Sequence, residues 1–332
     1  MNQTATRRFL PLLAALTLAG AAHATVPTRA VQGTTQLDGV AAKFGETFTL
    51  GKQSPLNFTL LKAEYSVGRV VIGNTVYFPK AAEKLLILHY TVHNPQKAEV
   101  RYYWPEVRFT AVDAQDRNSP SVQAVARDGT GESLEVRLKP AQKINVMTVI
   151  RVPAAGVVPK LMVQREAALL RYDLRGQVTP LARGIADPAD TSGATPLTQV
   201  PTAPNTFSPL ERFDVRLDEV KFTGEALGGK APPTGQRYLS AVFTIRNMEP
   251  GGGRYLWSDF KPVLKDADGE RMEYNQTMLK ASRDEKAGGT LTAGEEARVR
   301  FFFALPANVN AQSLMLTDGS GRAYVYDLSG VR

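Results

Sequence analysis

Imidazoles are the side chains most often used to move protons or hold metals near neutral pH. Beyond residue 24 this chain has two, His89 and His93. Four residues apart on an extended strand, they are separated by about 13 Å. A shared metal would need both within bonds of about 2 Å. Both therefore read as histidines on a solvated face. Cysteine is absent, which removes thiolate nucleophiles and thiolate metal ligands. Asp266-Ala267-Asp268-Gly269-Glu270 is rich in oxygen ligands, but it lacks the third alternating ligand and the distal bidentate Glu of a helical calcium loop. Asp-Gly between two strands is a hairpin signal by itself. No Gly-x-Ser-x-Gly elbow and no Gly-rich phosphate loop ahead of a helix occurs. The expectation is a non-enzymatic protein with no catalytic residue, no metal and no cofactor. Carboxylate pairs for glycoside hydrolysis assemble from distant positions and leave no local signature. A polysaccharide-active or metal-dependent envelope enzyme using His89 or His93 therefore stands as the alternative.

Cations and aromatics say more. Residues 25–183 hold 21 Lys/Arg against 13 Asp/Glu, whereas residues 206–332 hold 17 of each. That one-sided excess points to an anionic partner for the first half. Nucleic acid is the second alternative, disfavoured because the scattered aromatics form no stacking strip. Arg101-Tyr102-Tyr103-Trp104 has the composition of a sugar-stacking platform with a cation for acidic groups. Its recurrence as Arg254-Tyr255-Leu256-Trp257 favours packing instead, with Trp104 and Trp257 filling the core and Tyr102 and Tyr255 left outward. The apolar hairpin Arg69 to Pro79, turning at Gly73-Asn74, has no counterpart later, where residues 224–235 are polar and rich in Gly and Pro. Either Val70, Ile72, Val76 and Phe78 complete a sheet edge, or Val71 and Tyr77 form a protruding edge to which a partner strand adds. The residues expected to bind are Arg69, Val71, Tyr77, Arg101, Tyr102, Arg137, Lys139 and Lys143. Their expected partner is an anionic envelope polymer, a lipid surface or an envelope protein.

These side chains sit in a repeated frame. An offset of 153 carries Arg101 to Arg254, Asn94 to Asn247, Asp113 to Asp266 and Pro153 to Pro306. One further residue carries Arg171-Tyr172-Asp173-Leu174 to Val325-Tyr326-Asp327-Leu328. A fixed offset kept over the chain predicts two copies of one domain. Within each copy apolar residues alternate: Leu86, Leu88, Tyr90 and Val92 face one way, as do Leu239, Ala241, Phe243 and Ile245. Such period-2 runs between turn signals are half-buried strands. The predicted fold is all-β: two tandem antiparallel immunoglobulin-like β-sandwiches. Predicted boundaries are a poorly ordered N-terminal arm over 25–42, a basic sandwich over 43–183, a Pro/Thr-rich linker over 184–208 and a neutral sandwich over 209–332.

Each copy resembles the bacterial telokin-like, immunoglobulin-like extracellular domains of unknown function. The resemblance rests on Phe243-Thr244-Ile245-Arg246-Asn247, the Asp-rich turn ending at Gly269, Leu291-Thr292-Ala293-Gly294 and Phe302-Phe303-Ala304-Leu305-Pro306. It implies non-catalytic, extracytoplasmic modules and names no ligand. Members of that family are commonly lipid-anchored, and this chain departs from them in having no cysteine to take a lipid. Residues 1–24 read as a signal peptide, with Arg7 and Arg8, a short apolar run and Ala22-His23-Ala24 as the cleavage site. The run is too short for a membrane anchor, and no later segment has the length to span. The mature chain is expected to be exported, periplasmic or associated with the envelope from outside, and not lipid-anchored.

Overall fold

The computed structural model describes residues 39–272, 274–319 and 321–331. The expected signal peptide, and the arm up to residue 38, lie outside the described residues.

The alternating runs become strands. In the first sandwich one sheet runs Ala126–Arg127, Lys143–Pro153, Glu83–His93, Leu56–Ser66, Thr47–Leu50. The facing sheet runs Gly39–Ala42, Ala168–Asp173, Lys160–Arg165, Arg108–Val112, Asn118–Pro120. The second sandwich repeats both orders around Gln236–Asn247 and Lys261–Asp266. Each adds a two-stranded ladder, Val100–Tyr102 with Val136–Leu138 and Gly253–Tyr255 with Gly289–Leu291. The protein is thus two tandem immunoglobulin-like β-sandwiches. Pairing is antiparallel except at one edge of each, where Gly39–Ala42 and Gln199–Pro201 run parallel to the last strand. The expected arm therefore ends in a strand at Gly39.

The inward sets pack as their spacing predicts. Leu86, Leu88, Tyr90 and Val92 lie in the first core, and Leu239, Ala241, Phe243 and Ile245 in the second. Burying each large aliphatic contributes about 1.5–3 kcal/mol. The repeated Asn pins a turn in each copy. Asn94 Nδ2 donates to Ala98 O (2.8 Å) and Leu138 O (2.9 Å), and Asn247 Nδ2 to Leu291 O (3.0 Å). Both side chains are fully buried. Asp113 and Asp266 are likewise structural, each Oδ1 accepting two N–H groups of its own turn, those of Gln115 and Arg117 or of Asp268 and Glu270.

The expected linker is instead built into both sandwiches. Ala194 belongs to the first core, while Ile185 and Leu197 pack on the second. Asp190 accepts the N–H groups of Ser192 (2.9 Å) and Thr195 (2.8 Å). Lys84, fully buried, donates to Ala194 O (2.6 Å), Ala154 O (2.9 Å) and Gly156 O. A Pro/Thr-rich composition reports the shortage of bulky side chains, not the fate of backbone groups, and here those groups are paired.

Two arginines, Arg322 buried and Arg69 mostly so, complete the junction. Arg69 donates to Glu211 O (2.8 Å) and Phe213 O (2.5 Å) and pairs with Asp214 (2.7 Å). Arg322 reaches back to Glu83 O (2.7 Å), Ala81 O (3.3 Å) and Leu197 O (3.1 Å). The described residues accordingly form one unit.

Two outcomes test this frame. Asn94→Ala leaves buried carbonyls without donors, so it should lower stability by about 2 kcal/mol in chemical denaturation; an unchanged midpoint would contradict the pinning role. Burial pushes Lys84 down from 10.5 to about 8, with Asp190 opposing and Arg322 adding to the shift. Between pH 8 and about 10.4, the ordinary lysine value, the unfolded chain holds a proton that the folded chain has released. Stability gains with pH across that window. Wild type should therefore gain on Lys84→Met from pH 8 to 10, and parallel curves would argue against the shift.

Candidate functional site

The end of the first sandwich away from the junction collects most of the expected binding residues. The strand Glu83–His93 starts at the Arg322 contact and ends beside Asn94. Ten residue steps put that end roughly 33 Å from the junction. There the ladder pairs Arg137 with Arg101 directly, between Val136–Tyr102 and Leu138–Val100. Period 2 decides the faces: Val100, Tyr102 and Leu138 are buried, and Arg101 and Arg137 are exposed. Arg101 pairs with Glu135, which raises its pKa further, and lies 4.4 Å from the centre of the Tyr103 ring. Among the described residues no ion pair engages Arg137.

The ladder continues into a tight turn. Gln142 Oε1 accepts the Lys139 N–H (2.9 Å), and Ala141, at φ 60°, donates to Asn94 O (3.0 Å). The second sandwich builds the same turn with Glu295 accepting from Thr292 (2.7 Å) and Gly294 at φ 76° donating to Asn247 O (2.8 Å). Those bonds from Thr292 hold the Glu295 carboxyl below its ordinary range. With backbones superposable by register, the side chains compare one to one. Arg137, Lys139 and Lys143 correspond to Thr290, Thr292 and Glu296. All three cations are exposed, and exposed Lys97 joins them from the loop that Asn94 fastens to Lys139 O (3.2 Å).

The tryptophans reverse their expected place. Trp104 is 38% exposed and Trp257 45%, while Tyr102 and Tyr255 face inward. Tyr102 is therefore no surface residue: its hydroxyl bonds that of Tyr90 (2.8 Å), and burial pushes both phenols above their ordinary value. The cause is a break in alternation. A 3-10 turn begins at each tryptophan, Trp104–Glu106 and Trp257–Asp259, and swings it out of the strand. Pro105 and the Asp259 carboxylate, which accepts the Leu256 N–H (2.8 Å), were the sequence signals for that turn. Tyr103 and Trp104, which composition offers as ring faces and recurrence assigns to packing, thus lie at this end with Lys97, which the sequence does not single out.

Other expected residues lie elsewhere. Arg69 is consumed by the junction. Its hairpin does not protrude, because Val70 and Ile72 bury against Leu85, Ile87, Ala126 and Val149 on the outer face of the first sheet. Gly73 N–H bonds Gly131 O (2.8 Å), and Val71 and Tyr77 sit half-buried on a flap that lies over the sheet rather than protruding from it. The sheet pattern predicted apolar Ile87 on an outward face, and the flap is what covers it. Among the described residues no group of three or more His, Asp or Glu side chains forms around either histidine. His89 Nδ1 meets Asp128 (2.9 Å) and Nε2 meets Glu64 (3.1 Å), on opposite sides of the ring. Burial raises Glu64, but bonds from Lys62 and His89 outweigh it and leave the carboxyl below its usual value. His93 Nδ1 faces Asn57 Nδ2 (3.1 Å).

No family model matches the chain, and no curated protein does. Among solved structures it is similar to an uncharacterized β-sandwich protein from Clostridium difficile 630, with 15% identity, covering 43% of this chain and 99% of that one at a TM-score of 0.35. It is similar to MPT63, a secreted protein from Mycobacterium tuberculosis, with 12% identity over 39% of this chain and 97% of that one, TM-score 0.31. A putative lipoprotein from Bacillus subtilis, ycdA, shares 15% identity over 37% of this chain and 38% of that one, TM-score 0.28. No helix among the described residues is long and apolar enough to cross a membrane.

With two tryptophans in the chain, fluorescence reads the corrected placement directly. Iodide should quench most of the native emission, and Trp104→Phe and Trp257→Phe should each remove a quenchable fraction while leaving the unfolding midpoint nearly unchanged. Blue-shifted, unquenched emission would restore the tryptophans to the core.

Proposed function

We propose that this is an exported, non-catalytic binding protein whose first sandwich holds an acidic envelope polysaccharide at its distal pole. One observation carries the reading: Arg101 faces Arg137 across the ladder, where the second sandwich sets Arg254 opposite Thr290. Like charges directly opposite in a sheet destabilise it. Glu135 answers Arg101 but no ion pair among the described residues answers Arg137, so an anion brought from outside has a cation to meet there. Lys139, Lys143 and Lys97 extend the same positive end. Trp104 and Tyr103 supply ring faces of the kind that stack on sugars, with Arg groups suited to uronate or phosphate. The second sandwich, with Thr290, Thr292 and Glu296 in the corresponding places, serves as spacer and support. The signal-like first 24 residues and the resemblance to extracellular immunoglobulin-like modules support export.

The test exploits the tension between stability and binding. Arg137→Thr copies the second sandwich and should raise the thermal midpoint slightly while weakening retention on an immobilised polyuronate at least tenfold. Glu at Arg137, Lys139 and Lys143 together should abolish retention, and added salt should release wild type. Undiminished retention of the triple variant would overturn the proposal. Retention on duplex DNA but not on the polyuronate would replace it with the nucleic-acid reading.

A further inference from the structure

The junction also encloses a cleft of about 490 Å³, separate from the basic pole. Three segments wall it: residues 65–68 at the end of a first-sandwich strand, residues 181–185 of the connector, and residues 200–203 and 206–209 leading into the second sandwich, with Tyr324 behind. Its volume falls in the range of ligand sites, and a position between domains is where such sites concentrate.

Its lining is chemically one-sided. Val67, Ile185, Val200 and Phe207 give apolar wall, and Gly68, Ala182, Gly184 and Ala203 leave the space between them unfilled. No acidic residue lines it. The single charged side chain is Arg183, exposed and without an ion pair among the described residues. The wall is also stiff. Phe207 is backed by the Arg246 and Arg216 guanidinium groups at 3.9 and 4.6 Å from its ring centre. The Tyr324 hydroxyl donates to Pro209 O (2.5 Å), and Tyr65 accepts the Val158 N–H (2.8 Å) under Lys84. An apolar trough held open by a fixed junction, with one unpartnered cation at its rim, is complementary to a molecule with an apolar chain and one anionic end. We infer that the cleft binds a single-chain anionic amphiphile, its acyl chain along Val67, Ile185 and Phe207 and its head group on Arg183. A fatty acid and a lysophospholipid share that chemistry.

Full-length protein titrated with saturated fatty acids below their micelle concentrations tests this. Binding should saturate at one molecule per chain and tighten about fourfold per added methylene until the cleft is filled, the factor that follows from burying one CH₂. Arg183→Glu should weaken binding at least tenfold, and the matching fatty alcohol should bind wild type no better than the acid binds that variant. Ala203→Trp, at an exposed lining position, should abolish binding with the fold intact by circular dichroism. Arg137→Thr should leave it unchanged, which separates this site from the polysaccharide pole. A lysophospholipid binding tightly where the fatty acid binds weakly would assign the head group as phosphate. Absence of saturable binding by either amphiphile, or binding indifferent to Ala203→Trp, would overturn the inference.

Discussion

The arrangement depends on two guanidinium groups, one buried and one largely so, that cross between the sandwiches in opposite directions. Arg69 leaves the first sandwich to satisfy carbonyls at Glu211 and Phe213 and the carboxylate of Asp214. Arg322 leaves the second to satisfy Ala81 and Glu83. A buried charge left unpaired is very costly, so neither arginine can let go unless its whole surround opens to water. Each copy of the repeated domain thereby stops being independent. Lys84 adds the connector to the same assembly through Ala194. What composition alone renders as a flexible tether becomes a fixed joint.

The joint has consequences at both ends of the first sandwich. Near it, small residues of the connector leave a trough that the clamp keeps from collapsing. Far from it, the turn after Val136–Leu138 is presented to solvent with its cations uncovered. In the second sandwich the corresponding end faces the junction, and its charges are matched: Arg246 with Glu296 at 2.5 Å, Arg212 with Asp259 at 3.5 Å. The same backbone turn thus carries exposed cations in the first sandwich and, in the second, exposed Thr292 with Glu296 paired to Arg246. The side chains at Arg137, Lys139 and Lys143 against Thr290, Thr292 and Glu296 express that division.

Much of the fold was legible in the sequence because it depends on local period and on repetition. The inward sets around Tyr90 and Phe243 follow from residues two places apart, and the two-sandwich plan from one offset of 153 residues kept along the chain. The misreadings share a different cause. Trp104 reads as core only if the strand continues, and the 3-10 turn at Pro105 ends it. Arg69 reads as surface because its acceptors lie more than a hundred residues away. Val71 and Tyr77 read as a free edge because the apolar outer face that their hairpin covers, Ile87 and Val149, belongs to two other strands. Of the candidate site, Arg101, Arg137, Lys139 and Lys143 were found through charge; their gathering at one pole came only with the register.

The most direct test of the account is an amide chemical-shift map of the full chain titrated with a short polyuronate. The account predicts shifts at Lys97, Arg101, Tyr103, Trp104 and Arg137 through Lys143, with Thr290 through Glu296 unmoved. Equal shifts at both turns, or shifts confined to other surfaces, would contradict it.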